Sequence, residues 1–326
     1  MSTKVIDISI NEVTKEFPTG IFKKKLAVDK LSLDIPRGQI VGLLGANGSG
    51  KSTTIKMILG FLKPTHGQIF VCDQPAGTRQ SRSLIGYLPE NPRFQKFLRG
   101  EYILNYYGKL YGLSGKQLSQ QTDHMLELVG LKHARGERVG GYSKGMTQRL
   151  AIAQALMNRP KLLIFDEPMS GLDPLGRMEI RDLIRAIHDG MPDTTIFFST
   201  HILSDVEALC SSVALLKKGV LKTACEINQL MVQDGQFYSV VVTGLNPSLE
   251  TKYRAEHGAT TTSLGLSFNV ESVDMLTARL SEISRTGGTI VSVNTQRRGL
   301  EEILFSDRKN ENFQFPRQAA AGGAQS

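Results

Sequence analysis

Gly45-Ala46-Asn47-Gly48-Ser49-Gly50-Lys51-Ser52-Thr53 decides the reading of this chain. It follows Ile40-Val41-Gly42-Leu43-Leu44, a short apolar run of strand formers. After it, Ile55, Ile58, Leu59 and Leu62 fall at i, i+3, i+4 and i+7, the stripe of one helix face. Strand, glycine loop and helix form the context in which G-x-x-x-x-G-K-[ST] cradles a nucleoside triphosphate. Glycines let backbone N–H groups turn inward around anionic oxygens, and the helix N-terminus adds partial positive charge. In loops of this kind the lysine, here Lys51, reaches the β- and γ-phosphates, and the hydroxyl of Ser52 ligates magnesium. A ligand-free glycine turn is the plain alternative, and the flanking strand and helix argue against it. No N-K-x-D motif occurs, which argues against a GTPase.

Further elements follow in a fixed order. They are Tyr142-Ser143-Lys144-Gly145-Met146 ahead of Gln148-Arg149-Leu150, then Leu162-Leu163-Ile164-Phe165-Asp166-Glu167-Pro168, then Ser170-Gly171-Leu172-Asp173-Pro174, then Ser199-Thr200-His201. Leu162 to Phe165 has a buried-strand pattern that leaves Asp166 and Glu167 at its C-terminal edge, where parallel α/β sheets bind ligands. Without the other motifs, two such carboxylates would read as an ordinary solvated turn. Thr195 to Ser199 is another apolar strand, and His201 follows it. His66, His124, His133, His188 and His257 have no comparable setting.

In this order the motifs resemble those of the nucleotide-binding subunit of ABC (ATP-binding cassette) proteins, over about the first 225 residues. The resemblance implies an α/β fold: a P-loop NTPase cassette with a β-rich lobe (about 5–40), a doubly wound RecA-like core and a helical subdomain (about 92–158). It implies that Gly45 to Thr53 hold ATP, and that Asp166 holds magnesium through water. Glu167 would orient and deprotonate the attacking water, and His201 would contact the γ-phosphate. Ser143 and Gly145 would touch the γ-phosphate of ATP bound by an opposite subunit, and the Asp173 segment would cross to that subunit.

Two departures stand out. Lys144 and Met146 replace the Gly and Gln of the family's usual L-S-G-G-Q. After Ile85-Gly86-Tyr87-Leu88-Pro89, Glu90 stands where the family places glutamine; it is read as a magnesium ligand, with a turn cap as the alternative. Phe17 sits at the family's adenine-stacking position, with core packing as an equal alternative. Ser143 precedes an amphipathic helix and also reads as its N-cap.

The chain has 326 residues, a hydrophobic fraction of 40% and a formal net charge of +8. That length suggests two domains or one with an appendage. No run approaches the roughly 18–20 apolar residues of a membrane span, and no charged-then-apolar leader pattern opens the sequence. The three cysteines, Cys72, Cys210 and Cys225, are odd in number and lack metal spacing, which fits a reducing cytosol. The positive balance, with Lys23-Lys24-Lys25 as its one compact run, suggests an anionic neighbour. The membrane surface is preferred to nucleic acid because no nucleic-acid motif accompanies it.

Tyr102, Tyr106, Tyr107 and Tyr111 cluster in the helical segment, where core packing and contact with a membrane partner are both open. Beyond residue 225 the nucleotide-binding pattern ends, and residues 226–308 read as a small α+β module. Strands are expected at Phe237 to Val242, Leu264 to Val270 and Thr289 to Val293. One helix follows Ser272, and a last short helix carries Leu300, Ile303 and Leu304. The module's closing pattern looks like the accessory domain of bacterial exporter ATPases, and residues 309–326 are expected to be disordered.

The reading is therefore an ATP- and magnesium-dependent subunit of an exporter. It is expected to work as a homodimer with separately encoded permease subunits, at the cytoplasmic face of the plasma membrane, without nucleic acid. A soluble ABC ATPase acting on nucleic acid or ribosomes is the alternative; it usually carries a long coiled coil or a second cassette, and neither is seen.

Overall fold

The computed structural model describes residues 5–19, 23–227, 236–270 and 272–297. The short helix read at Leu300 to Leu304 and the tail at 309–326 lie outside them. The chain divides after Ile227 into two compact units.

In the first unit the long strands β1 (Ile6–Pro18) and β2 (Lys24–Pro36) form an antiparallel ribbon. β3 (Ile40–Leu44) leads into the glycine loop and α1 (Lys51–Ile58). The helix stops at Ile58, short of Leu62, where the chain turns at Gly60. β4 (His66–Val71) and β5 (Gln74–Pro75) then join the ribbon in the order β2-β1-β4-β5, so the β-rich lobe draws on residues well past 40. After α2 (Arg79–Ser83) and β6 (Ile85–Leu88) come the helices α3 (Gly100–Leu110), α4 (Gly115–Leu128) and α5 (Lys144–Leu156). The core resumes with β7 (Leu162–Asp166), α6 (Pro174–Gly190), β8 (Thr195–Thr200) and α7 (Leu203–Leu209), and closes with the hairpin β9 (Ser212–Lys217) and β10 (Val220–Glu226).

Six of these strands form one sheet in the order β10-β9-β3-β8-β7-β6, parallel except at β10. Its central strands are buried on both faces, so they read as unbroken apolar runs rather than alternating ones. Leu162 and Ile164 pack with Val41, Leu43, Ile55 and Phe197 on one side. Leu163 and Phe165 pack with Ile152, Leu183, Ile184 and Phe198 on the other. Each such side chain contributes about 1.5–3 kcal/mol by leaving water. The register sets Leu44 beside Thr200, and Asp166 beside Ser199. Every segment carrying a candidate functional residue of the core thus leaves the sheet at one carboxyl edge.

The second unit is a four-stranded antiparallel sheet, ordered β12 (Thr260–Thr262), β13 (Gly265–Val270), β11 (Gln236–Thr243) and β14 (Thr289–Arg297). It packs with α8 (Pro247–His257) and α9 (Val273–Arg285) around Val240, Val242, Tyr253, Phe268 and Ile283. α9 begins where expected, with the Ser272 hydroxyl accepting the Met275 N–H. α8 carries only a thin apolar stripe; its start is marked instead by the Asn246 cap and by Pro247 in the first turn.

Candidate nucleotide site

Gly50, at φ +110°, is the N-cap of α1, so the loop meets the helix through a left-handed residue that only glycine adopts freely. The Gly45 N–H donates to the Thr200 carbonyl at 3.2 Å, tying the loop's start to the end of β8. The Lys51 side chain lies inside the loop at 5% exposure. Its Nζ donates to the Gly45 carbonyl at 2.6 Å and sits 3.2 Å from Glu167 Oε1.

Asp166 closes β7 and Glu167 follows at φ +49°, a left-handed position unusual for a non-glycine residue. Backbone strain of this kind clusters at functional sites. Both carboxylates are buried. Asp166 Oδ1 accepts from Ser199 Oγ at 2.6 Å and from Ser52 Oγ at 3.4 Å. Ser199 Oγ also accepts the Glu167 N–H at 3.0 Å, so one hydroxyl braces both acids. Glu167 is engaged at each oxygen, with Oε1 on Lys51 and Oε2 at 2.9 Å from His201 Nδ1. Lys51, Ser52, Asp166, Glu167 and His201 therefore stand together, with Ser199 as the brace that the sequence reading did not assign. Ser199 sat inside the quoted Ser-Thr-His motif, but nothing local says which strand its hydroxyl will face.

Among the described residues, no group of three or more His, Cys, Asp or Glu is arranged to hold a metal ion. Ser52 and Asp166 nevertheless fit magnesium, a hard cation that usually takes one or two protein oxygens and completes its shell with phosphates and water. Glu90 is exposed, and no hydrogen bond or ion pair is found for it. Tyr87, on β6, lies against this acidic edge. Burial first, and then the charges of Asp166 and Glu90, push its phenol up to about 12, so it stays neutral. Burial likewise pushes the Cys72 and Cys225 thiols up to about 11, which removes them as nucleophiles at neutral pH.

The remaining candidates lie apart from this group. Ser143 is the N-cap of α5, its hydroxyl accepting the Met146 N–H at 3.1 Å, with Gly145 in the first turn. Asp173 caps α6, accepting the Gly176 N–H at 3.0 Å, with Pro174 in the first turn. Gln148 is buried on α5 and donates to the Pro168 carbonyl at 2.7 Å, which ties α5 to the segment after Glu167. Phe17 is half-buried on β1, with Lys15 Nζ 5.2 Å from its ring centre. Of the tyrosines, Tyr102, Tyr106 and Tyr111 are exposed, whereas Tyr107 packs on the core. Lys24 of the basic run is paired with Glu16 at 2.8 Å.

A family model described as "ABC transporter" matches residues 28–170. The chain is 38% identical over 248 residues to an uncharacterized ABC transporter ATP-binding protein of Synechocystis, covering 75% of this chain and 69% of that protein. A second such protein, from Nostoc, is 33% identical over 309 residues, covering 94% and 90%. The bacitracin transport ATP-binding protein BcrA of Bacillus licheniformis is 37% identical over 233 residues, covering 71% and 75%. Among solved structures, an ATP-binding subunit of an ABC transporter superposes with a TM-score of 0.60 at 28% identity, covering 69% of this chain and 92% of that one. The cbiO1 protein of Clostridium perfringens, part of the ABC transporter complex cbiONQ, gives 0.63 at 25% identity, covering 78% and 96%. With its phosphate loop and acids gathered at one sheet edge, the chain belongs to the ABC transporter ATP-binding proteins, the ATP-hydrolysing subunits of these transporters.

Proposed function

We propose that this chain drives an exporter as one of two identical ATPase subunits, each ATP being held between the phosphate loop of one copy and the Ser143–Gly145 segment of the other. The observation that carries the reading is the convergence of Lys51, Ser52, Asp166, Glu167 and His201 at the carboxyl edge of the sheet. ATP binding draws Lys51 from Glu167 to the β- and γ-phosphates. Glu167 Oε1 is then free to accept the proton of the attacking water, while His201 keeps the carboxylate oriented. Magnesium, held by Ser52 and Asp166 with Glu90 nearby, would neutralise charge on the phosphate oxygens. Phe17 offers its ring to the adenine, and Asp173 carries the crossing segment.

Residues 1–225 form the ATPase and 226–308 an accessory module. Among the described residues no helix is long and apolar enough to cross a membrane. In this reading the work is delivered to separately encoded permease subunits at the cytoplasmic face of the plasma membrane. The exposed row Phe97, Tyr102, Tyr106 and Leu110 offers an apolar surface for that contact. The relatives named for bacitracin transport support a transport role.

Glu167→Gln tests the reading. It keeps size and hydrogen bonding but cannot accept the proton, and general-base assistance is worth roughly 10²–10⁴ in rate. The variant should hydrolyse slowly and accumulate as an ATP-bound dimer in size-exclusion chromatography, and adding Ser143→Arg should abolish that dimer. Hydrolysis at the parental rate would show that the base is another residue.

A further inference from the structure

The β9–β10 hairpin turns on Lys218 and Gly219 alone, with Lys217 paired to Val220 and both turn residues at positive φ, +50° and +81°. Two positive values are the mark of the tight turn that matches strand twist. The tip of this turn is bonded on both sides. The Gly219 N–H donates to the Ser49 carbonyl at 2.8 Å, and the Gly219 carbonyl accepts the Asp29 N–H at 2.8 Å. The hairpin therefore joins the outer side of the phosphate loop to β2. The approach leaves no room for a side chain. A methyl on Gly219 would lie 2.8 Å from the Ala27 carbonyl oxygen, and a methyl on Gly50 would lie 2.7 Å from the same atom. Leu216, just before the turn, covers Gly50 from the third side, its Cδ2 lying 3.1 Å from where a Gly50 methyl would stand.

The Ser49 carbonyl and the Gly50 N–H belong to one planar trans peptide and point in opposite directions. Holding the carbonyl outward on Gly219 therefore turns the Gly50 N–H toward the interior of the loop, where such groups cradle phosphate oxygens. We propose that Gly219, which lies outside the phosphate-loop motif, is a positioning residue for nucleotide binding. Its N–H fixes the Ser49–Gly50 peptide in the orientation that receives phosphate. This rests on the reading of Gly45 to Thr53 as the phosphate cradle. Without the tether that peptide is free to flip, and the fraction of loops in the wrong orientation weakens apparent affinity in proportion.

Gly219→Ala sets a methyl in a left-handed position and against the Ala27 oxygen, so the tip must withdraw from Ser49. The full chain, titrated with a fluorescent ATP or ADP analogue, should show Kd raised about tenfold for both, as for a loop competent one time in ten. The value of kcat at saturating ATP should be retained. A purely structural role would instead lower the active fraction, reducing the maximal rate with Kd unchanged, and that result would overturn the proposal. If the variant does not fold, the wild-type protein carries the test. ADP should slow hydrogen exchange at the Gly219 amide, on the outer side of the loop, and unchanged exchange would overturn the proposal equally. Lys51→Ala separates the two levels. Normal affinity in that variant would refute the cradle itself. Weak binding there, with normal affinity in Gly219→Ala, would refute only the tether.

Discussion

The two units of this chain treat charge in opposite ways. The first buries Lys51, Asp166, Glu167 and Asp205, together with several hydroxyls. Among its described residues, the second buries no charged side chain and keeps an apolar core with Tyr253 and Phe268 ring to ring at 4.7 Å. Its main charge cluster lies at a partly exposed edge, where Glu282 accepts from Lys252 at 2.8 Å, Arg279 at 3.0 Å and the Tyr253 hydroxyl at 3.0 Å. Buried charge costs several kcal/mol per ion unless partners answer it. In the first unit those partners are available: Lys51 meets Glu167, and Asp205 accepts from Arg177 at 2.6 Å. A fold that carries such a cost at one sheet edge has a reason there that packing does not supply. The second unit carries no comparable cost, as befits a module held together by its core.

The largest effect that could break this contrast is at Lys51. Lys51→Ala removes the one buried cation among the described residues and leaves Glu167 without its counter-charge. Charge-assisted hydrogen bonds are worth about 1.5–3 kcal/mol, so ATP binding should weaken by roughly 10–100-fold. Fluorescence titration measures it, and an unchanged affinity would mean that the buried pair serves stability alone.

Phe268→Ala probes the other side of the contrast. Truncating a buried aromatic costs about 3–5 kcal/mol. Urea denaturation should show the second unit unfolding early while nucleotide affinity is kept. Equal loss of both properties would mean the units are not energetically separate.

The smallest effect is electrostatic. The Lys252 ammonium, with Arg279 and Tyr253, holds the Glu282 carboxyl down at about 2 from an ordinary value of 4.5. A depressed carboxylate adds stability that is complete above its unfolded pKa and is lost as pH falls through its folded one. Wild-type protein should therefore be more stable than Glu282→Gln at pH 6, and the gap should close between pH 4.5 and pH 2. The group is partly exposed, so screening keeps the gap below that of Phe268→Ala. A gap independent of pH would assign Glu282 a packing role instead.

Much of the candidate site was legible because its chemistry is local. The phosphate loop announces itself between β3 and α1, and Ser143 and Ser272 cap helices at the predicted places. The acids at the end of β7 follow from a strand that stops at Asp166. Other features were hidden by distance along the chain. Ser199 braces Asp166 from 33 residues away. Nothing local along the chain shows what Glu90 approaches; it lies exposed, and its charge acts on Tyr87 together with that of Asp166. Within the chain the Asp173 carboxylate caps α6, a role compatible with a place in the proposed crossing segment.

The sequence by itself determined the kinds of element, the phosphate loop with its lysine, and the pairing of acids with a strand end. All of these depend on residues within a turn or two of one another, where periodicity, caps and glycine conformations act. Only the tertiary structure decided that β3 lies between β8 and β9, that Glu167 shares its oxygens between Lys51 and His201, and that Gly219 backs the phosphate loop. Parallel strands are joined through crossovers, so their neighbours are chosen by packing across the whole sheet. No local pattern along the chain records that choice.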